Sequence, residues 1–152
     1  MSGRTPEDFI ISYLKNRVRW HKDNGMPPMP YAMQAVLDHG RPFVGVGRPK
    51  GFRKRADRQC FYNAWSSAIR GGGEYVEGYA LPNNDWGTPV HHAWITLDGV
   101  HAIDQTWRVP GQAYIGIQFP RKIASRYCIE GRYCKPAMED DAAIRVLFAE
   151  EE

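Results

Sequence analysis

The sequence predicts an α+β fold, with N-terminal helices and a cysteine-bearing helix packed on a mainly antiparallel sheet, then a closing helical part. Three observations carry this. Capped segments with helical apolar spacing occupy residues 5–25 and 57–73. From residue 74 the pattern changes to the alternation of strands. An Asp98-Gly99 pair sits between two such runs as a hairpin turn.

Each element has a local reason. In the first helix Thr5 is the cap, Pro6 suits the first turn, and Glu7 and Asp8 complement its positive end. Phe9, Tyr13 and Leu14 begin an inward stripe, and Asn24-Gly25 stops the helix. The MPPMP stretch, 26–30, reads as a rigid connector, and residues 31–40 as a second helix ending at Gly40. Residues 41–58, rich in Gly, Pro and basic side chains, read as a long loop. Its GVGRPKG stretch lacks the Gly-Lys-Ser/Thr ending of a nucleotide loop. In the third helix Asp57 is the candidate cap, and Phe61, Ala64, Trp65, Ala68 and Ile69 recur at helical spacing. EYVEGYAL, PVHHAWITL, VHAIDQTW and AYIGIQF are strand candidates. RKIASRYCIEG reads as a short helix, and the C-terminal segment as a helix with Ala142, Val146 and Leu147 inward.

The 152 residues fit one domain, 1–152: a helical, basic part (1–57), a cysteine helix plus antiparallel sheet core (58–119) and a helical end (120–152). A hydrophobic fraction of 43% and no run long enough for a membrane span indicate a folded chain with no membrane partner. The N-terminus carries charges where a signal peptide needs apolar residues, so the expected location is cytoplasmic. Three cysteines leave at least one unpaired and favour a reducing compartment. Cys128 and Cys134 match no common zinc spacing and read as ordinary residues in or near the core. No cofactor or metal is expected. Residues 1–58 hold 12 Lys/Arg against 5 Asp/Glu, net +7, and the remainder 8 against 12, net −4. The densest basic run, 48–58, is a candidate for weak polyanion contact, with a solvated loop as the plainer reading.

Cys60 falls in the first turn of its helix, where unpaired N–H groups favour negative charge on a sulfur and can donate to an oxyanion. A thiol nucleophile needs an imidazole to take its proton and a carboxylate to orient that imidazole. His91 and His92 are adjacent, so in a strand they point to opposite faces. A two-residue Asp98-Gly99 turn pairs Leu97 with Val100 and places Asp104 on the face of His91. A three-residue bulged turn pairs Thr96 with Val100 and sets His92 opposite Asp104.

CFYNAW, then HAW, then DQTW resembles the transglutaminase-like branch of the papain-type cysteine enzymes over roughly residues 58–119. YVEGYA resembles bacterial and phage proteins of the same type. The resemblance implies a papain/transglutaminase-like version of the α+β fold. It also implies a triad in which Cys60 is the nucleophile, His92 rather than His91 the base, and Asp104 the acid. The substrate would be a peptide, a protein or a small amide or acyl compound. The position of the papain-type oxyanion glutamine holds Lys54 here, and Gln59 directly precedes Cys60. Gln59, Asn63, Glu77, Trp94 and Trp107 are candidate substrate-binding or supporting residues; solvent exposure or core packing is the alternative for each. The competing reading is a non-catalytic nucleic-acid- or protein-binding module on the same fold, with a phage effector as a further alternative.

Overall fold

The structure, a computed structural model, describes residues 5–25, 31–84, 87–129 and 133–148. The expected connector at 26–30 and the last four residues of the closing segment lie outside them. The first helix, α1 (Pro6–Asn24), begins with a reciprocal capping box: Asp8 N–H donates to Thr5 Oγ1, and Thr5 N–H to the Asp8 carboxylate. Gly25 ends it with φ 58°, a left-handed conformation that glycine adopts without steric cost. Ile10 and Leu14 face the core, whereas Phe9, expected to open the inward stripe, is 44% exposed. The second helix, α2 (Tyr31–His39), buries Ala32, Ala35 and Val36.

The sheet overturns the expected architecture. Five strands, β1 (Arg41–Val46), β2 (Glu74–Leu81), β3 (Val90–Thr96), β4 (His101–Ile103) and β5 (Ala113–Phe119), close into a barrel in the order β1-β4-β3-β2-β5. This mixed barrel replaces the open, mainly antiparallel, papain-like sheet. The difference traces to β1, which lies in the stretch whose Gly, Pro and basic residues read as a long loop. Its backbone pairs in parallel with β4, Val44 opposite His101, and antiparallel with β5, Phe43 opposite Tyr114. That double pairing joins the two sheet edges and satisfies N–H and C=O groups that an open sheet would leave free.

Alternation along the strands sorts side chains into two cores. Phe43, Val76, Ala80, Trp94, Ala102 and Tyr114, drawn from all five strands, fill the lumen. Tyr75, Tyr79, Ala93, Ile95, Ile103 and Ile115 point outward and pack under α1, α2 and α3 (Cys60–Ile69). Gly78 and Gly116 are directly opposed between β2 and β5. A Cβ on Gly116 would lie 2.8 Å from the Trp94 ring, and one on Gly78 would collide with the Ile115 carbonyl.

Beyond the barrel come α4 (Arg121–Ala124), the hairpin β6 (Cys128–Ile129) and β7 (Tyr133–Cys134), and α5 (Asp141–Phe148). Cys128 and Cys134 are cross-strand partners joined by a disulfide, not ordinary unpaired residues. The helix read over 121–131 holds Cys128 alone and gives it no opposed cysteine; a hairpin does. The pairing also removes the cysteine argument for a reducing compartment. In α5 it is Ala143 that is buried; Ala142 and Val146 are exposed. Among the described residues, no helix is long and apolar enough to cross a membrane.

The glycine pair gives a direct test of barrel closure. Gly78→Ala forces a methyl against backbone that no rotamer change can move. It is expected to lower stability by about 3 kcal/mol, read as a lower urea midpoint.

Candidate active site

The chain reaches Cys60 through a sharp turn. Arg58 takes φ 62°, uncommon for a residue with a side chain. Asn63 N–H donates to Gln59 O at 2.8 Å, so α3 is capped at Gln59, which contributes no side-chain cap bond. Asp57, the expected cap, instead accepts from Lys54 Nζ at 2.6 Å. Gln59 is exposed, and Cys60, the first helical residue, is half-buried with a free thiol.

The hairpin takes neither expected register. Ile95 pairs with Ile103. Side chains cap the longer turn: Thr96 Oγ1 accepts Gly99 N–H at 2.9 Å, and Asp98 Oδ1 accepts Val100 and His101 N–H, each at 2.8 Å. Relative to the bulged arrangement the slip is two residues, and an even slip leaves each side chain on its face. Extending that register sets Asp104 beside Trp94 and diagonal to His92, within reach of a ring. His92 Nε2 donates to Asp104 Oδ2 at 2.8 Å, with both residues 2% exposed.

Asp104 is fully engaged. Oδ2 also accepts from Tyr114 O–H at 2.8 Å, and Oδ1 from the N–H groups of Thr106 at 2.9 Å and Trp107 at 3.0 Å. Burial opposes its charge, but His92 and these N–H donors hold the carboxyl below its usual range. Arg48 Nη1 donates to the carbonyls of Asp104 (3.3 Å) and Trp107 (3.0 Å), pinning the segment. One guanidinium of the basic 48–58 run is therefore committed inward. The Trp107 ring stacks on His92, centroids 3.9 Å apart and 17° from parallel.

Cys60 meets this assembly at His92. Burial disfavours the imidazolium, but hydrogen bonds and charge attraction from Asp104 and from the Cys60 side chain outweigh it and push His92 up to about 9. The ring is hydrogen-bonded to the carboxylate and lies near enough to the thiol to respond to it. Asn63, buried, ties the same pieces together: its Nδ2 donates to Ala56 O at 2.8 Å and to Thr106 Oγ1 at 2.9 Å.

The remaining candidates divide. Trp107 is shared between His92 and a cleft of about 480 Å³ lined also by Lys54, Asp57, Asn83, Val90 and Arg108. Trp94 is lumen core, edge-on to Tyr114 with centroids 4.9 Å apart. Glu77 lies on the outer face of β2 with His91, its Oε1 4.0 Å from the His91 ring. It accepts N–H from Ala137 at 2.7 Å and Met138 at 3.0 Å and O–H from Tyr75 at 2.8 Å, so it anchors the C-terminal segment. Burial outweighs those bonds and pushes it up to about 7. His91 lies on that outer face, stacked on Tyr79 at 5.0 Å, and burial together with the charge of His92 brings it down to about 4. Tyr114 and Arg48 escaped sequence reasoning. Strand alternation marks Tyr114 as facing one side, but nothing local announces a partner for its hydroxyl. Among the described residues, no group of three His, Cys, Asp or Glu side chains is placed to hold a metal ion.

Two titrations follow. The His92 imidazole is expected to titrate near 9 by NMR, and Asp104→Asn to bring its midpoint down by about 1–3 units. Glu77 is raised from 4.5 to about 7, so its contribution to stability is complete below 4.5 and lost as the pH rises through 7. The urea midpoint of the wild type should therefore fall relative to Glu77→Gln across that interval.

No protein-family model, curated protein or solved structure matches the chain.

Proposed function

We propose that the chain is a thiol-dependent acyl-transfer enzyme with Cys60, His92 and Asp104 as its triad. The observation that carries this is one buried imidazole hydrogen-bonded through Nε2 to a saturated carboxylate and raised further by the nearby free thiol of Cys60 at a helix start. The order of the CFYNAW, HAW and DQTW motifs supports the same chemistry.

In this reading His92 takes the Cys60 proton, and the sulfur attacks the carbonyl carbon of an amide, ester or thioester. Electrons pass to the carbonyl oxygen, where the Cys60 backbone N–H is the nearest donor the helix start provides. When the tetrahedral centre collapses, the carbon–heteroatom bond breaks and His92 gives its proton to the leaving group. The acyl-cysteine is then attacked by water, giving a hydrolase, or by an amine, giving a transferase; His92 takes the proton of that second nucleophile. Asp104 keeps Nε2 protonated and offsets the imidazolium charge. The cleft walled by Trp107 is the approach for a peptide, protein or small acyl substrate.

Without reductant, a thiol-directed acyl probe should label the native chain once. Cys60→Ala should abolish labelling while the circular-dichroism spectrum is kept. Undiminished labelling of that variant overturns the assignment. Asp104→Asn should slow turnover of an activated acyl substrate by roughly 100- to 10,000-fold and shift the upper limb of its pH profile, set by His92 near 9, to lower pH.

A further inference from the structure

A second cavity lies at the other end of α3. It holds about 340 Å³ and is lined by Gly51, Phe52, Arg53, Arg55, Ser67, Arg70, Gly72 and Gln105. Among the described residues, three that bear a guanidinium line it and no carboxylate does. Among the described residues none of the three forms an ion pair, while the acids nearest in sequence are engaged elsewhere, Asp57 with Lys54 and Glu74 with Arg121. Three like charges around one small cavity repel each other, and an anion between them reverses the sign of that interaction.

The uncharged walls are braced. Ser67 O–H donates to Gln105 Oε1, Gln105 Nε2 donates to Arg53 O at 3.2 Å, and Arg55 N–H donates to Gln105 O at 2.6 Å. Gln105 is 6% exposed and Ser67 9%. These bonds occupy the Gln105 acceptor oxygen and the Ser67 hydroxyl proton alike, so the donors left to the cavity are those of its arginine side chains. A carboxylate uses a single guanidinium fork. Three forks match a phosphate group, whose oxygens accept from several sides.

We propose that the cavity bounded by Arg53, Arg55 and Arg70 is a binding site for a phosphate group, separate from the triad. It joins the 51–55 loop and the end of α3 to Gln105, the residue after Asp104.

Calorimetry on the full chain, at matched ionic strength, tests this with inorganic phosphate, a phosphoserine peptide and a single-stranded oligonucleotide. Inorganic phosphate is expected to bind saturably at one site per chain. Arg70→Gln and Arg53→Gln should each weaken it by about tenfold, while Lys122→Gln, an exposed cation on α4, should leave it unchanged. If the group is carried on a peptide, the phosphopeptide binds more tightly than inorganic phosphate and is displaced by it; if the ligand is free phosphate, the peptide adds nothing. Either result supports the site. No saturable phosphate binding, binding that both arginine variants retain, or oligonucleotide binding that phosphate does not compete with overturns it.

Discussion

A carboxylate taken out of water costs several kcal/mol unless its lone pairs are filled. Asp104 fills them from four directions: His92 Nε2, the Tyr114 hydroxyl and the N–H groups of Thr106 and Trp107. Each donor depends on a different part of the fold. His92 requires β3, Tyr114 requires β5 in the same lumen, and the two backbone donors require the tight segment after β4. Arg48, two residues past the end of β1, holds that segment by its carbonyls. The closing strand therefore does more than satisfy a sheet edge: it delivers the cation that fixes the acid's loop.

The neighbouring histidines show how far the barrel wall separates two environments. His92, on the lumen side with a carboxylate, is pushed up to about 9, whereas His91, outside among Tyr79 and Phe61, is brought down to about 4. The residues differ by one position and by the face that position selects. Burial opposes charge at both; the Asp104 carboxylate at hydrogen-bond distance reverses it at His92, while Glu77 and Glu139, at 4.0 and 3.9 Å from the His91 ring, do not reverse it there.

What was legible in the sequence follows from range. Capping of α1 by Thr5 and Asp8, its stop at Gly25 and the placement of Cys60 at the start of α3 are local, and residue type alone announces them. The turn left both faces open for Asp104, and the motif resemblance chose that of His92; the register itself was not legible, because Thr96 and Asp98 side chains cap a longer turn than the Asp-Gly pair suggests. Barrel closure was hidden because β1 is short, broken by Pro42 and Gly45, and pairs with strands far away in sequence. The Cys128–Cys134 bridge was hidden for the same reason on a smaller scale, since only a hairpin opposes those two positions. Glu77 and Trp94 were recognised as unusual, but whether each faced the site or the packing depended on long-range contacts.

Asn63 carries a mechanical consequence. Its amide holds Ala56, ahead of Cys60, and Thr106, just after Asp104, so the helix outside the barrel and the segment that caps the lumen share one fastener. A displacement of α3 carries the Asp104 segment along with it. Motion of the helix then carries Cys60 and the Asp104 segment together, while His92 stays with the barrel wall on β3.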